Sequence, residues 1–209
     1  MGLFTMAACS NQNASQSEDP SSSAPQSSEP TSESSQAPFE TPSSEPEDSA
    51  AKALVVYFSW SGNTESVANE IVAQTGADVF EITPATPYTD DYDALLDIAQ
   101  EEKQNDARPA ISGSIENLDQ YDVVYVGFPN WWGDMPMILY SFFDAYDLSG
   151  KTVAPFVTSG GSGFSGSINT MKTLEPDATI ADGLSLGSSQ AANPGSAVTE
   201  WLSGLGLSE

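Results

Sequence analysis

Short runs of apolar, largely β-branched residues alternate along this chain with segments whose apolar residues recur at helical spacing. A strand that is apolar at every position is typical of a parallel sheet covered on both faces. Five such strands are predicted, over 53–58, 78–82, 122–127, 151–157 and 178–186. Helices are predicted near 67–72, 92–99, 135–146, 168–174 and 197–202. Because right-handed crossovers place helices on both faces of such a sheet, the pattern predicts a three-layer, doubly wound α/β fold.

The composition changes near residue 51 of the 209. Residues 10–50 consist mostly of Ser, Pro, Glu and Gln, contain no Leu, Ile or Val, and have Phe39 as their one aromatic residue. Such a segment buries too little apolar surface to offset the entropy that is lost on folding. We therefore predict a disordered tether over 10–51 and a single domain over 52–209.

The chain is strongly acidic, with 30 Asp and Glu side chains against five Lys and Arg and a formal net charge of -25. The five cations are scattered, which argues against a nucleic-acid footprint and against a polybasic membrane patch. The lack of histidine excludes Ser-His-Asp and Cys-His catalysis and any metal site that depends on imidazole. The one cysteine, Cys9, cannot form an internal disulfide.

The first nine residues are mostly apolar and end in two alanines before Cys9. This arrangement resembles the end of a bacterial lipoprotein signal, in which the cysteine carries the lipid. Since the stretch lacks basic residues and is too short for a complete signal, we interpret residues 1–9 as its remnant. On this interpretation Cys9 is lipidated and anchors the domain outside the cytoplasm at the bacterial cell membrane. The alternative is a cytoplasmic protein in which Cys9 has no role.

A polar segment follows the first predicted strand and leads directly into a helix. This first loop, Ser59-Trp-Ser-Gly-Asn-Thr64, offers hydroxyl and amide groups, and its glycine lets the backbone approach a ligand closely. The free N–H groups of a helix N-terminus favour an anion at such a position. Because the lysine of a Walker loop is missing, the pattern favours a single phosphomonoester bound without magnesium. An ordinary helix N-cap, the alternative, explains only one or two of the polar groups.

Two adjacent tryptophans, Trp131 and Trp132, follow the third predicted strand in a second loop over 128–136 that is bounded by Pro and Gly. Loops lie at the surface, and exposed indoles leave a large apolar area in contact with water. A planar aromatic ligand would cover them, with ring stacking that adds about 0.5–1.5 kcal/mol per pair. A protein contact, or a lid folded onto the domain, is the alternative.

Four glycines lie in the third loop, over 158–166, which follows the fourth predicted strand. A segment so rich in glycine supplies no packed core, and its backbone amides and carbonyls are the groups it offers for recognition. Ligands of open α/β sheets bind beyond the carboxyl ends of the strands, where the strand order reverses. The three loops are therefore the candidate binding residues.

Together the three loops resemble the FMN-binding flavodoxin-like family, and in particular its short-chain, lipoprotein-associated bacterial branch. The resemblance covers about residues 52–202 and implies the strand order 2-1-3-4-5. It implies that the first loop binds the FMN phosphate, that the isoalloxazine ring lies between the second and third loops, and that the segment 83–92 helps to wall the site. The implied cofactor-binding residues are Ser59, Trp60, Ser61, Gly62, Asn63, Thr64, Pro129, Asn130, Trp131, Trp132, Gly133, Ser159, Gly160, Gly161, Gly163 and Phe164.

The resemblance further implies a redox protein that transfers electrons through bound flavin and needs no catalytic side chain. Its partners would be FMN and either a redox protein or a small electron donor or acceptor. Two alternatives stay open. One is a reductase that uses NAD(P)H to reduce a quinone or a flavin. The other is a non-redox surface module in which the two tryptophans contact a glycan or a protein.

Overall fold

The structure is a computed structural model that describes residues 51–206. Cys9 and the predicted tether, apart from Ala51, lie outside the described residues. Strands and helices follow each other in the order β1 (Ala53–Tyr57), α1 (Asn63–Thr75), β2 (Asp78–Glu81), β3 (Thr83–Pro84), α2 (Tyr92–Gln104), β4 (Ile111–Ser112), β5 (Val123–Pro129), α3 (Met137–Ala145), β6 (Thr152–Ser159), α4 (Ser167–Leu174), β7 (Thr179–Ile180), β8 (Leu184–Gly187), α5 (Ser188–Ala191) and α6 (Gly195–Leu205).

The central sheet is parallel, with the strand order β2-β1-β5-β6-β7 and with β8 also paired to β6. If β7 and β8 are counted as one interrupted strand, this is the order 2-1-3-4-5. The predicted fold class is therefore confirmed. The three inner strands are buried at nearly every position, as their continuous apolar sequences predicted.

The fifth predicted strand is interrupted because its neighbour β6 contains Pro155. A proline donates no backbone hydrogen bond, so a central strand must place it where a ladder bond is missing. β6 pairs with β7 through Thr152 and Val153, and with β8 only from Phe156 onward. The Pro155 carbonyl faces Gly183, which lies in the gap between β7 and β8. The break in the edge strand therefore accommodates the proline.

Two apolar cores cover the two faces of the sheet. Alternate residues over β1 and the residue that follows it divide between the cores, with Leu54, Val56 and Phe58 in one and Val55 and Tyr57 in the other. The first core also contains side chains of α3 and α4, and the second contains side chains of α1, α5 and α6. Full burial of one such side chain contributes about 1.5–3 kcal/mol. The helices are thus fixed on both faces of the sheet.

Between β2 and β5 the chain forms a separate small unit that positions α2. The two-residue strands β3 and β4 pair antiparallel, Thr83 with Ser112 and Pro84 with Ile111. Neither segment is among the strands predicted from the sequence, because two residues carry no periodicity and their pairing depends on a distant partner. This pairing closes the unit, and α2 is carried beyond the carboxyl edge of the sheet, beside the second loop.

Every helix within residues 51–206 falls short of the length and apolar character that a membrane span requires.

Candidate functional site

The carboxyl ends of β1, β5 and β6 bring the three predicted loops together. Tyr57 is in register with Gly127, and Pro129 with Thr158, so the strands end at the same edge of the sheet. The first hydrogen bond beyond them runs from the Asn130 backbone N–H to the Thr158 carbonyl at 2.9 Å. The loops that sequence analysis selected therefore surround one region of the surface.

The first loop ends at a helix N-terminus that carries no side-chain cap. Gly62 precedes α1 with φ 81°, a left-handed conformation that favours glycine. The first helical bond runs from Ser66 N–H to the Gly62 carbonyl at 3.0 Å, so the preceding N–H groups have no helical acceptor. An N-cap side chain, the alternative that the sequence left open, is not what this turn uses. The arrangement suits an anion that accepts from those N–H groups.

Buried hydroxyls lie under this turn. Thr64 Oγ1 and Thr158 Oγ1 share a 2.8 Å hydrogen bond and are almost fully buried, which ties the first turn of α1 to the end of β6. Ser59 Oγ is also buried, yet among the described residues it has no hydrogen-bond partner. A buried polar group without a partner costs about 1–3 kcal/mol, and a phosphate at this turn would give the Ser59 hydroxyl an acceptor. The residues present thus fit a phosphate.

The second loop contains a tight turn, which places its two tryptophans in different environments. Trp131 and Asp134 exchange backbone hydrogen bonds of 2.9 and 3.1 Å, and the two central residues, Trp132 and Gly133, have φ 52° and 77°. These values identify a type I′ turn, in which both central residues are left-handed. Asn130 supports the turn, because its Oδ1 accepts from Gly133 N–H at 3.1 Å while its Nδ2 donates to the Gly163 carbonyl at 2.8 Å.

The two tryptophans have different environments, although the sequence predicted exposure for both. Trp132 is 47% exposed, and its Nε1 donates to the Leu96 carbonyl at 3.1 Å. Trp131 is half-buried and packs edge-on against Phe58 and Tyr88, with ring centroids 5.4 Å apart in each pair. The expectation of two exposed indoles is therefore correct only for Trp132. Consecutive residues in a tight turn point in different directions, which the sequence pattern does not reveal.

Hydrogen bonds between residues of the third loop hold its conformation. Ser159 Oγ accepts from the N–H groups of Gly161 and Gly163 at 3.2 and 2.9 Å, so this hydroxyl organises the loop. The Phe164 ring packs against Phe128 and against the backbone at Gly183, and so belongs to the first core. Of this loop, Ser162 lines the cavity described next.

A cavity of about 300 Å³ lies between the first loop, the second loop and α2. We call it the aromatic cavity. Its lining residues are Trp60, Tyr92, Leu95, Leu96, Ala99, Asn130, Trp131, Trp132, Gly133 and Ser162. Trp60 is held there by a hydrogen bond from its Nε1 to the Thr89 carbonyl at 2.9 Å. Planar side chains on several sides make this the part of the described surface best suited to a planar aromatic ring.

Comparisons with known proteins identify the family. The family model described as flavodoxin matches residues 52–205. The chain belongs to the flavodoxin family. The match confirms the family that the three loops indicated and, with it, FMN as the cofactor of that family. No match was found among curated protein sequences.

Solved structures with the same fold include candidate flavoproteins from two Bacteroides species. The one from B. eggerthii is 36% identical, with a TM-score of 0.67 over 75% of this chain and 98% of its own. The one from B. uniformis is 32% identical, with a TM-score of 0.66 over 74% and 99%. A flavoprotein from Lactobacillus acidophilus, solved in complex with FMN, is 23% identical, with a TM-score of 0.57 over 70% and 99%. The last likeness concerns the fold alone.

A second depression flanks the first loop on its other side in this flavodoxin-family domain. It is an open groove of about 620 Å³ between α1 and the turn before α6. Its lining includes Glu65, Glu70 and Asn69 and contains no aromatic residue. The two carboxylates would repel a phosphate, and without an aromatic side chain the groove offers no ring on which a flavin could stack. The smaller aromatic cavity is therefore the better candidate for a planar ring.

Cations contribute little to the site. Lys103, from α2, donates to the Trp132 carbonyl at 2.7 Å and lies 4.0 Å from an Asp134 carboxylate oxygen. Three others are engaged elsewhere: Lys52 with Asp78, Arg108 with Asp106 and Asp144, and Lys151 with the Tyr121 carbonyl. The fifth, Lys172, lies in the last turn of α4. An anion in the first loop would thus be bound by neutral donors, as the sequence predicted.

Sequence analysis missed the contribution of α2. Tyr92, Leu95, Leu96 and Ala99 all line the aromatic cavity, whereas their spacing predicted only an amphipathic helix. Two of them, Leu95 and Ala99, are buried, and Tyr92 is 60% exposed. The signal available in the sequence was Tyr92, an aromatic residue at the predicted start of the helix.

Proposed function

We propose that this chain binds FMN and passes electrons through the bound flavin. The observation that carries the proposal is the buried, unpartnered Ser59 Oγ in a loop that ends at an uncapped helix N-terminus, next to the aromatic cavity. Membership of the flavodoxin family and the FMN complex of the Lactobacillus acidophilus protein support it. When bound, FMN supplies exchange of one or two electrons.

The residues of this chain would divide the binding between two regions. The hydroxyl of Ser59 and the N–H groups before Ser66 would hold the phosphate, at about 1.5–3 kcal/mol for each hydrogen bond to a charged acceptor. Trp60, Trp131 and Trp132 would contact the ring and exclude water from its faces. The loops are tied together by Asn130 and by the Thr64–Thr158 bond, so both regions are organised before the ligand arrives.

The charged residues near the site favour an electron carrier over an NAD(P)H-dependent reductase. A nicotinamide dinucleotide would bring further phosphate charges to a site whose one helix N-terminus is already assigned to the FMN phosphate, in a domain rich in carboxylates. The one cation beside the aromatic cavity, Lys103, already donates to Trp132, and α2 itself carries Asp93, Asp97, Glu101 and Glu102. Neutral or cationic partners are therefore favoured. A quinone fits this description as well as a basic redox protein does.

We also propose that the domain is lipid-anchored through Cys9 outside the cytoplasm. The support is the sequence of residues 1–9 and the Ser- and Pro-rich composition of 10–51. Mass spectrometry of the protein isolated from its native host is expected to find an acyl-modified Cys9. An unmodified Cys9 would remove the proposal and leave the FMN site unaffected.

Titration with FMN, read by quenching of flavin fluorescence, tests the FMN proposal. Ser59→Ala is expected to weaken FMN binding by roughly tenfold or more, because one charged hydrogen bond is lost. The stability of the FMN-free chain should not fall, since the hydroxyl has no partner there. Ser141→Ala is the matched control: this serine in α3 also carries a buried hydroxyl without a partner, and it lies outside the aromatic cavity. Failure of the unaltered chain to bind FMN at micromolar concentration would overturn the proposal.

A further inference from the structure

Tyr88 lies between the aromatic cavity and a carboxylate. On one side its ring packs edge-on against Trp131, with ring centroids 5.4 Å apart and an interplanar angle of 85°. On the other side its hydroxyl donates to the carboxylate of Glu102, with O–O distances of 2.9 and 3.1 Å to the two oxygens. Trp131 in turn lines the aromatic cavity. The three side chains thus form a continuous row that leads from the cavity to a carboxylate of α2.

In the Tyr88–Glu102 pair, a neutral phenol donates its hydrogen bond to a carboxylate. Among residues 51–206, no ion pair involves Glu102. Burial raises the pKa of the Glu102 carboxyl, and burial together with the nearby carboxylate raises the pKa of the Tyr88 phenol. The pair lines a small cavity of about 250 Å³ with Thr86, Pro87 and Ile98. The hydrogen bond thus places a carboxylate where it can accept the phenolic proton when Tyr88 is oxidised.

We propose that Trp131, Tyr88 and Glu102 form a relay that carries one electron to an oxidant in the aromatic cavity while a proton moves from Tyr88 to Glu102. The relay rests on the proposed FMN site, since light-excited FMN is the one-electron oxidant that the cavity would hold. The oxidant takes one electron from the Trp131 indole. The oxidised indole takes one electron from Tyr88, and the phenolic O–H bond breaks as its proton passes to a Glu102 oxygen. The products are a neutral tyrosyl radical, an uncharged Glu102 and an acceptor reduced by one electron.

The row of contacts explains why this path favours Tyr88. Oxidation of a phenol is far easier when a base accepts its proton at the same time, and the hydrogen bond to Glu102 supplies that base. Tyr125 is a useful comparison. Its ring packs against Trp201 with centroids 5.7 Å apart, but burial raises its pKa without any carboxylate partner. Such a relay would divert damaging one-electron oxidation away from the tryptophans that contact the flavin.

Flash photolysis of the FMN-loaded full chain, read by transient absorption and electron paramagnetic resonance, tests the relay. The unaltered protein is expected to form a tryptophan radical that converts to a tyrosyl radical. Tyr88→Phe keeps the ring contacts and should lose the tyrosyl signal, leaving the tryptophan radical. Glu102→Gln keeps an oxygen that can accept from the Tyr88 hydroxyl but is a much weaker base, so it should slow the conversion several-fold. Tyr125→Phe, the matched control, should behave as the unaltered protein does.

Two results would overturn the relay while leaving the FMN site in place: a tyrosyl radical that persists in Tyr88→Phe, or an unaltered complex that stops at the tryptophan radical. If FMN does not bind, the proposed function fails separately, and the same radicals are then generated in the flavin-free chain with a small photosensitised oxidant. There the tyrosyl yield is expected to fall in Tyr88→Phe and to be kept in Tyr125→Phe. Equal yields in the two variants would contradict the relay.

Discussion

At the scale of single residues, Trp132 is held in a backbone conformation that its side chain disfavours. A left-handed φ of 52° is rare for a large residue, and strain of this kind costs about 1–3 kcal/mol. The surroundings compensate, because the indole donates to Leu96 and the carbonyl accepts from Lys103. The structure therefore stabilises an exposed indole at the mouth of the aromatic cavity, as expected for a residue that meets a ligand.

Glu175 gives a pH-dependent prediction at the same scale. It is only 6% exposed, and burial raises its pKa although the carboxylate accepts from Leu148 N–H at 3.3 Å. The folded state then binds this proton more tightly than the unfolded state, so stability falls as the pH rises from the unfolded pKa through the folded one. Glu175→Gln is expected to be more stable than the unaltered chain at neutral pH and equally stable below pH ~4. Urea unfolding at the two pH values measures the difference.

Asp147→Asn is the control, because the pKa of Asp147 is shifted in the opposite direction from that of Glu175. Hydrogen bonds from the hydroxyl and the N–H group of Ser149 lower the pKa of Asp147, so its contribution is present at neutral pH and is lost as the pH falls through the folded pKa. The Asp147 charge also raises the pKa of Glu175, so Asp147→Asn loses these hydrogen bonds but relieves that repulsion, and it should be less stable at neutral pH than Glu175→Gln. If both variants are stabilised equally, relief of the overall negative charge explains the effect, and the specific burial of Glu175 does not.

At the scale of elements, α2 is the helix whose position depends least on the core. Of its 13 residues only Leu95 and Ala99 are buried. Its other contacts include the Trp60–Tyr92 ring pair and hydrogen bonds from Trp132 to Leu96, from Lys103 to Trp132 and from Tyr88 to Glu102. Because α2 forms one wall of the aromatic cavity, these contacts set the shape of the site.

Lys103→Met tests this attachment. The substitution keeps an unbranched side chain of nearly the same length and removes its hydrogen bond to the Trp132 carbonyl. Amide hydrogen exchange in α2 is expected to become faster, while the free energy of global unfolding changes by less than about 1 kcal/mol, because the Lys103 side chain is 40% exposed. Lys172→Met in the last turn of α4 is the matched control and should leave exchange in α2 unchanged. Unaltered protection of α2 in Lys103→Met would contradict the role of the contact.

At the scale of the whole molecule, the net charge of -25 decides which partners approach fastest. A surface of one sign attracts ions of the opposite sign and repels those of its own, over a distance that salt shortens to about 10 Å at 0.1 M. Most of the acids, 22 of the 30, lie in residues 52–209 together with all five bases. For the proposed electron carrier, this acidic domain therefore favours cationic electron acceptors.

The reduced, FMN-loaded protein should accordingly transfer electrons faster to hexaammineruthenium(III) than to ferricyanide, once the rates are corrected for driving force. Added salt is expected to slow the first reaction and accelerate the second, because screening weakens attraction and repulsion alike. Stopped-flow absorbance at several ionic strengths measures both. Rates without any dependence on salt would mean that the acidic surface does not act at the site.

Much of the architecture follows from local patterns in the sequence. The apolar runs predicted the inner strands because a strand covered on both faces must be apolar throughout, and β1, β5 and β6 lie where they were expected. Loop chemistry was equally local: the first loop is polar, rich in hydroxyls and followed by a helix, and these features do not depend on the rest of the chain. The fold class could therefore be predicted from these patterns, whereas the family and the strand order came from the resemblance of the three loops to a known family.

Other features depend on contacts between residues far apart in sequence. The break opposite Pro155, the pairing of β3 with β4 and the approach of α2 to the second loop each require a partner that no local pattern specifies. The same holds for Trp131, which turns inward because Phe58 and Tyr88 are there, and for Phe164, which fills the space left by Gly183. Periodicity in the sequence thus determined which residues are buried and where the chain turns, because burial follows from hydrophobicity. Only tertiary packing decided which loop side chains face the cavity, because that direction is set by neighbours that folding brings together.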